Sequence, residues 1–137
     1  MTATAGNGNN PAGTKPLIYI VDDDEAVRLA IGMLVEACGW RARPCASAEE
    51  FLSLPIPGGS GNCLLLDLDM PGTSGADLLE RLEAANRWLP TIVVTGYVDS
   101  NLAARARRTG VRAVLKKPFN DQLLVGHIRE ALGLNAA

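Results

Sequence analysis

The sequence has almost no excess of charge. Its 13 Lys and Arg stand against 15 Asp and Glu, a net charge of −2 at pH 7, so bulk electrostatics gives no reason to expect tight nucleic-acid binding. It has no long apolar run: the longest are about five residues, where a bilayer span needs ~20. Residues 1–10 carry neither a basic region nor an apolar stretch, so no secretory signal is expected there. Histidine occurs once, as His127, and the three cysteines, Cys38, Cys45 and Cys63, include no C-x-x-C pair. Their spacing fits no common zinc pattern. An odd, unpaired set beside apolar sequence reads as small buried hydrophobes in a reducing compartment, with a redox or metal role as the other reading. Collagen, coiled coil, membrane span and disulfide-rich toxin are excluded.

What is present is one domain's worth of chain. At 137 residues it can bury roughly 68% of its unfolded surface, so it needs no disulfide or structural metal. Residues 1–15, rich in Gly, Asn, Thr and Ala, read as a flexible tail. Residues 16–133 form the domain, and 134–137 a C-terminal tail. From Pro16 onward, short β-rich runs alternate with helical periods. Leu17–Val21 is a strand. A helix follows with Val27, Ala30, Ile31, Leu34, Val35 and Cys38 on one face, ended by Gly39. Arg41–Cys45 is a weaker strand. Ser47-Ala-Glu-Glu50 is a capping box for a short helix through Leu54, and 55–61 must be a loop. Cys63–Leu66 is a buried strand, and Thr73 or Ser74 caps a helix bearing Leu78, Leu79, Leu82 and Ala85. Thr91–Val94 is a strand, with a helix from about Ser100 to Thr109. Ala113–Lys116 is the last strand, and Asn120 caps a final helix to about Leu132.

Five strands and five helices in strict alternation predict an α/β fold, a doubly wound parallel sheet with helices on both faces. No internal repeat or second domain is evident. Ligands of such sheets sit at the carboxyl ends of the strands. The first strand ends in Asp22-Asp23-Asp24-Glu25, the third in Asp67 with Asp69 beyond it, the fourth in Thr95-Gly96 and the fifth in Lys117-Pro118. Alone, each has a plain reading: helix capping, a polar strand exit, a turn, a solvated lysine. Together they fall after four different strands of one sheet, which sets carboxylates, a hydroxyl and an amine at one edge.

Clustered carboxylates need a cation to stay ionised, and hard oxygen ligands with retained waters suit Mg²⁺. A divalent cation beside a carboxylate, a lysine and a hydroxyl makes a phosphoryl site. No G-x-x-x-x-G-K-[ST] loop is present to cradle a nucleotide. The natural reading is covalent: a carboxylate attacks phosphorus to form an acyl phosphate.

Val21-Asp-Asp23, Leu66-Asp67-Leu-Asp-Met-Pro-Gly72, Val94-Thr95-Gly96 and Lys117-Pro-Phe119, separated by 44, 28 and 22 residues from Asp23 to Asp67 to Thr95 to Lys117, resemble the four motifs of the response-regulator receiver family. The resemblance runs from residue 17 to about 132 and is closest to receivers of the nitrogen-fixation regulator type, which usually carry a helix-turn-helix output domain. It implies a flavodoxin-like (βα)5 sheet of order 2-1-3-4-5. It implies that Asp67 is the phosphoacceptor, taking its group from a sensor histidine kinase. Asp23 and Asp67, with the Asp69 backbone carbonyl, would ligate Mg²⁺, and Asp22 would contribute directly or through a water. Lys117 would contact the phosphoryl group, Thr95 would turn its hydroxyl toward it, and the N–H groups of Leu68 and Gly96 would complete the oxygen cradle.

One position departs from the family. Receivers usually carry an aromatic residue three positions before the active lysine, and here Val114 stands there. The switch set is therefore expected to be Thr95, Tyr97 and Val114, with Tyr97 taking part of the signalling role. Asp69 and Tyr97 hold the two variable positions flanking the phosphoryl group and are expected to set its hydrolysis rate. Arg105, Arg107, Arg108, Arg112 and Lys116 form either a solvated face or a charged face for homodimerisation or partner docking through the fourth helix, fifth strand and fifth helix. His127 reads as a half-exposed packing residue. The expectation is a cytoplasmic phosphoprotein of a two-component system, not an enzyme with separate substrate turnover, without direct nucleic-acid or membrane contact. The chain ends too soon after Leu134 for an output domain to be expected within it, so it is either a stand-alone receiver or the receiver half of a DNA-binding regulator. The rivals are an aspartyl-nucleophile phosphatase, whose D-x-D-x-[TV] signature is replaced by Asp67-Leu-Asp-Met-Pro71, and a constitutive pseudo-receiver.

Overall fold

The computed structural model describes residues 15–55 and 61–134. The tail at 1–14, most of the 55–61 loop and the last three residues lie outside the described residues. Five strands, β1 (Leu17–Val21), β2 (Arg41–Cys45), β3 (Asn62–Asp67), β4 (Thr91–Thr95) and β5 (Ala113–Lys116), alternate with five helices. The helices are α1 (Glu25–Ala37), α2 (Ala48–Leu52), α3 (Gly75–Ala84), α4 (Asn101–Arg108) and α5 (Asp121–Ala131). The strands form one parallel sheet in the order β2-β1-β3-β4-β5.

Strand side chains alternate between faces, and each face buries its own core. Tyr19, Val21, Leu64, Leu66 and Val93 point toward α2, α3 and α4, where they meet Phe51, Leu78, Leu79, Leu82 and Ala106. Ile18, Ile20, Leu65, Ile92 and Val94 point toward α1 and α5, where they meet Ile31, Val35, Leu124 and Ile128. This double burial explains why β3 and β4 read as unbroken apolar runs. The edge strand β2 is largely exposed and carries Pro44, which a central strand could not tolerate. The α1 stripe is narrower than the sequence pattern suggests. Ile31 and Val35 are buried, Val27, Leu34 and Cys38 are half-buried, and Ala30 faces out.

Side chains define the helix starts. Asp24, Ser47, Ser74, Ser100 and Asn120 each accept an N–H from the first turn they precede. Of the two candidates for α3, Ser74 is the cap, in a reciprocal box with Asp77, while the Thr73 hydroxyl donates to Glu49 on α2. The expected box at α2 is offset by one residue: Ser47 accepts from Glu50 N, but the Glu50 carboxylate accepts from Ala46. That helix ends at Leu52, two residues short of Leu54. Cys45 and Cys63 are buried and Cys38 half-buried, all as free thiols. Burial pushes the Cys45 thiol up to about 11 and Cys63 up to about 12, which keeps both as inert hydrophobes.

Candidate functional site

The sheet order reverses direction between β1 and β3, because the chain leaves β1 for β2 on one side and returns to β3 on the other. The crevice beyond the carboxyl ends of these two strands is where such sheets bind ligands. Asp22 and Asp67 stand there as the residues after β1 and at the end of β3, each only 2% exposed. Thr95 closes β4 and is fully buried, and Lys117 follows β5 and is held by its N–H to the Thr95 carbonyl at 2.8 Å. The Lys117–Pro118 peptide is cis.

Each buried carboxylate is oriented by local backbone. One Asp22 oxygen accepts from Asp24 N at 2.9 Å, and the Asp22 carbonyl accepts from Arg28 Nη1 at 2.7 Å. One Asp67 oxygen accepts from Asp69 N at 3.0 Å. The other oxygens of the two carboxylates share one ammonium: Lys117 Nζ lies 3.1 Å from Asp22 and 3.4 Å from Asp67. Burial, reinforced by Asp22 and opposed by the Asp69 N–H and Lys117, pushes the Asp67 carboxyl up to about 6. Burial alone would lower the Lys117 ammonium, but Asp67 and Asp22 outweigh it and hold it above its ordinary value.

Asp23, on the exposed side, completes a group with Asp22 and Asp67 in which one oxygen from each lies within 4.8 Å of the others. Three carboxylates face one lysine. An all-oxygen, charge-rich donor set with room for water matches a hard divalent cation and no softer one.

The neighbouring donors depart from expectation at one place. Leu68 N–H is spent on the Val94 carbonyl at 3.2 Å, continuing the β3–β4 ladder, so it cannot serve an incoming oxygen. The amide that points at the Asp67 carboxylate belongs to Asp69. On the far side, the Thr95 hydroxyl donates to Asp69 Oδ2 at 2.7 Å and accepts from Tyr97 N at 3.1 Å, while Gly96 N donates to the same Asp69 oxygen at 3.3 Å. The Tyr97 ring is 70% exposed. Val114 is half-buried, paired in register with Val93 and packed on the α2–α3–α4 side; its side chain carries no ring to exchange between inside and outside.

Two supporting residues escaped the sequence pattern. Gly75 opens α3 so close to β3 that an added Cβ would stand 2.5 Å from the Asp67 carbonyl oxygen. The run Thr73-Ser74-Gly75 marked a helix start but not this approach of backbone to backbone. Arg105, in sequence one of a late basic concentration, reaches across to α3, 2.6 Å from Asp77 and 2.7 Å from Glu80. It ties α4 down rather than charging an outer face. Arg107 donates to the Val98 carbonyl, whereas Arg112 and Lys116 are exposed. His127 is half-buried on α5 with Nδ1 3.7 Å from Glu130, in keeping with a packing residue.

An open (βα)5 sheet with a buried carboxylate, two further carboxylates and an ammonium at its switch point defines a class, the phosphoacceptor module of signalling. The chain belongs to the response-regulator receiver family, whose receiver domain matches residues 18–129. It is 37% identical over 119 residues to the transcriptional regulatory protein FixJ of Azorhizobium caulinodans, covering 87% of this chain and 56% of that protein. It is 38% identical over 118 residues to the response regulator protein TmoT of Ectopseudomonas mendocina, covering 86% and 53%. Among solved structures, the isolated N-terminal part of FixJ superposes with a TM-score of 0.78 at 32% identity, covering 90% of this chain and 98% of that one. The response regulator StyR gives 0.80 at 36% identity, covering 90% and 62%. The chain spans a little over half the length of the curated relatives it matches. Its receiver is close to the FixJ type. Among the described residues, no helix is long and apolar enough to cross a membrane.

Proposed function

We propose that Asp67 is the acceptor of a phosphoryl group delivered by a sensor histidine kinase. The observation that carries this reading is the placement of the Asp67 carboxylate, buried at the switch point with Lys117 Nζ at 3.4 Å and Asp22 and Asp23 beside it. In the transfer, an Asp67 oxygen forms a bond to phosphorus as the phosphorus–nitrogen bond of the donor imidazole breaks, and that electron pair stays on the imidazole. Lys117 neutralises charge on the transferring oxygens and orients the attacking carboxylate. The Asp69 amide holds the non-attacking Asp67 oxygen. Thr95 and the Gly96 amide supply donors for one phosphoryl oxygen.

Asp22, Asp23 and Asp67, with the Asp69 backbone carbonyl, are the residues that would hold Mg²⁺. Bound there, it supplies positive charge against the oxygens of the acceptor and the phosphoryl group. The protein then acts as a signalling acceptor with self-dephosphorylation, working in the cytoplasm rather than turning over an external substrate. The relatives described as transcriptional regulatory proteins are nearly twice as long as the matched region, which favours use of this receiver as the control half of such a regulator. We place its output contact on α4, β5 and α5, where Arg108, Lys116 and Leu123 are exposed, as a phosphorylation-dependent homodimer face.

The test is intact-mass spectrometry after incubation with acetyl phosphate and Mg²⁺, beside an Asp67→Ala control. One added phosphoryl group that requires Mg²⁺ and is absent from the control supports the reading. Addition that persists in Asp67→Ala overturns the assignment of the acceptor. No addition, together with no binding of beryllofluoride, overturns the reading in favour of a constitutive binding module.

A further inference from the structure

We propose that the Asp69 side chain is a resident internal anion: it occupies the seat that a phosphoryl oxygen takes, and it must leave before that oxygen can arrive. The inference rests on the reading of Asp67 as acceptor. A single oxygen, Asp69 Oδ2, accepts both from the Thr95 hydroxyl at 2.7 Å and from Gly96 N at 3.3 Å. These are two donors at the end of β4, just past Val94, which pairs in register with Asp67. A carboxylate oxygen offers them charge-assisted bonds of the kind a phosphoryl oxygen would offer. Asp69 is also tethered in place, because its own amide bonds the acceptor, Asp67 Oδ1, at 3.0 Å. Backbone and side chain of one residue thus bridge the acceptor and the donor pair.

Two anions cannot share one seat. Thr95 is fully buried while Asp69 covers it, so in the resting state its hydroxyl donates to this carboxylate rather than to water. Asp69 is exposed, so its carboxylate can turn outward and regain full hydration. The switch is then an exchange of anions at a fixed pair of donors. The gain from binding the phosphoryl oxygen is reduced by the bonds given up to Asp69. Asp69 is a positioning residue here: it holds Thr95 oriented in the resting state and sets how strongly the site favours the modified state.

The experiment is titration with beryllofluoride and Mg²⁺, a stable phosphoryl mimic, on the native chain, Asp69→Ala, Thr95→Val and the double variant, with the Gly96 amide followed by NMR. Asp69→Ala should bind about fivefold tighter than the native chain, the scale of one neighbouring-residue coupling. In the Thr95→Val background the same change should gain only about twofold or less, because the contested donor is gone. In the metal-free, unmodified state, Asp69→Ala should move the Gly96 amide proton, which loses its carboxylate partner. An equal gain in both backgrounds means that Asp69 acts by charge repulsion alone and overturns the proposal. So does an unmoved Gly96 amide, a readout that needs only the one exposed-residue variant. If none of the four proteins binds beryllofluoride while the Gly96 amide still moves, the acceptor reading falls, and this proposal falls with it.

Discussion

The Lys117 ammonium is shared unequally, sitting 3.1 Å from Asp22 and 3.4 Å from Asp67. Its closer partner is Asp22, not the proposed phosphoacceptor Asp67. Lys117 is thereby a structural counter-ion to both buried carboxylates.

Removing that ammonium leaves two buried carboxylates facing each other. Breaking a buried pair by deleting one partner costs several kcal/mol, reduced here because the lysine is itself about a quarter exposed and Asp23 opens the site to water. Lys117→Ala should lower the stability of the metal-free protein by about 2 kcal/mol in denaturant titrations. Mg²⁺ should restore more stability to this variant than it adds to the native chain, because a bound cation stabilises the folded state by mass action. Equal stabilisation of both by Mg²⁺ would place the cation away from these carboxylates.

The raised Asp67 carboxyl makes stability depend on pH. Folded, it titrates at about 6 rather than at 3.8. Between those values the folded chain holds a proton that the unfolded chain has lost, so stability falls as pH rises through this window. Below it both states are protonated and the cost is absent; above it the cost is complete. Asp67→Asn should therefore stabilise the metal-free protein at neutral pH by about 1–3 kcal/mol and flatten its stability between the two values. Chemical denaturation at a series of pH values in the presence of a chelator measures both.

Two glycine substitutions should move in opposite directions. Alanine is favoured over glycine inside a helix by about 1 kcal/mol. At Gly32, in the middle of α1, an added Cβ meets nothing within 4 Å, so Gly32→Ala should stabilise by up to that amount. At Gly75 the Cβ would stand 2.5 Å from the Asp67 carbonyl oxygen and 2.9 Å from Leu68 Cα. Both are backbone atoms, and overpacking of this kind costs about 1–3 kcal/mol. Steric conflict exceeds propensity, so Gly75→Ala should destabilise, and it should slow phosphorylation by shifting the end of β3. Thermal melts and acetyl phosphate labelling of the pair check this.

These cases show what the sequence made legible. Strict alternation of β-rich runs and helical periods predicted the parallel sheet, because buried strands of Val, Ile and Leu need helices to cover both faces. The ends of four strands predicted which side chains would converge, since topology alone brings strand ends together. Asp22, Asp23, Asp67, Thr95 and Lys117 do converge. Hidden were contacts that depend on backbone direction over an ångström or two. Whether Leu68 or Asp69 turns its N–H toward the carboxylate is decided by where the β3–β4 ladder ends, and no residue type records that. The direction of Arg105 was hidden likewise, since a basic run on an eight-residue helix does not say which arginine faces α3.

With Val114 carrying no ring, Tyr97 is the exposed aromatic residue bonded to Thr95. The Tyr97 N–H bonds the Thr95 hydroxyl oxygen at 3.1 Å, so any reorientation of that hydroxyl pulls on the backbone that carries the Tyr97 ring. The ring is exposed beside a groove of about 450 Å³ lined by Gly96, Val98, Asp99, Ser100 and Lys116, and therefore has both freedom to move and a place to settle. Val114 is held in the β4–β5 register opposite Val93 and packs against the core, which leaves it little travel. On addition of beryllofluoride and Mg²⁺, the Tyr97 ring resonances should shift and broaden while the Val114 methyl resonances move less. Tyr97→Ala should weaken modification-dependent dimerisation severalfold, read by analytical ultracentrifugation. Unchanged Tyr97 resonances accompanied by a normal rise in self-association would transfer the output signal to α4 itself, through the Arg105 tie to α3.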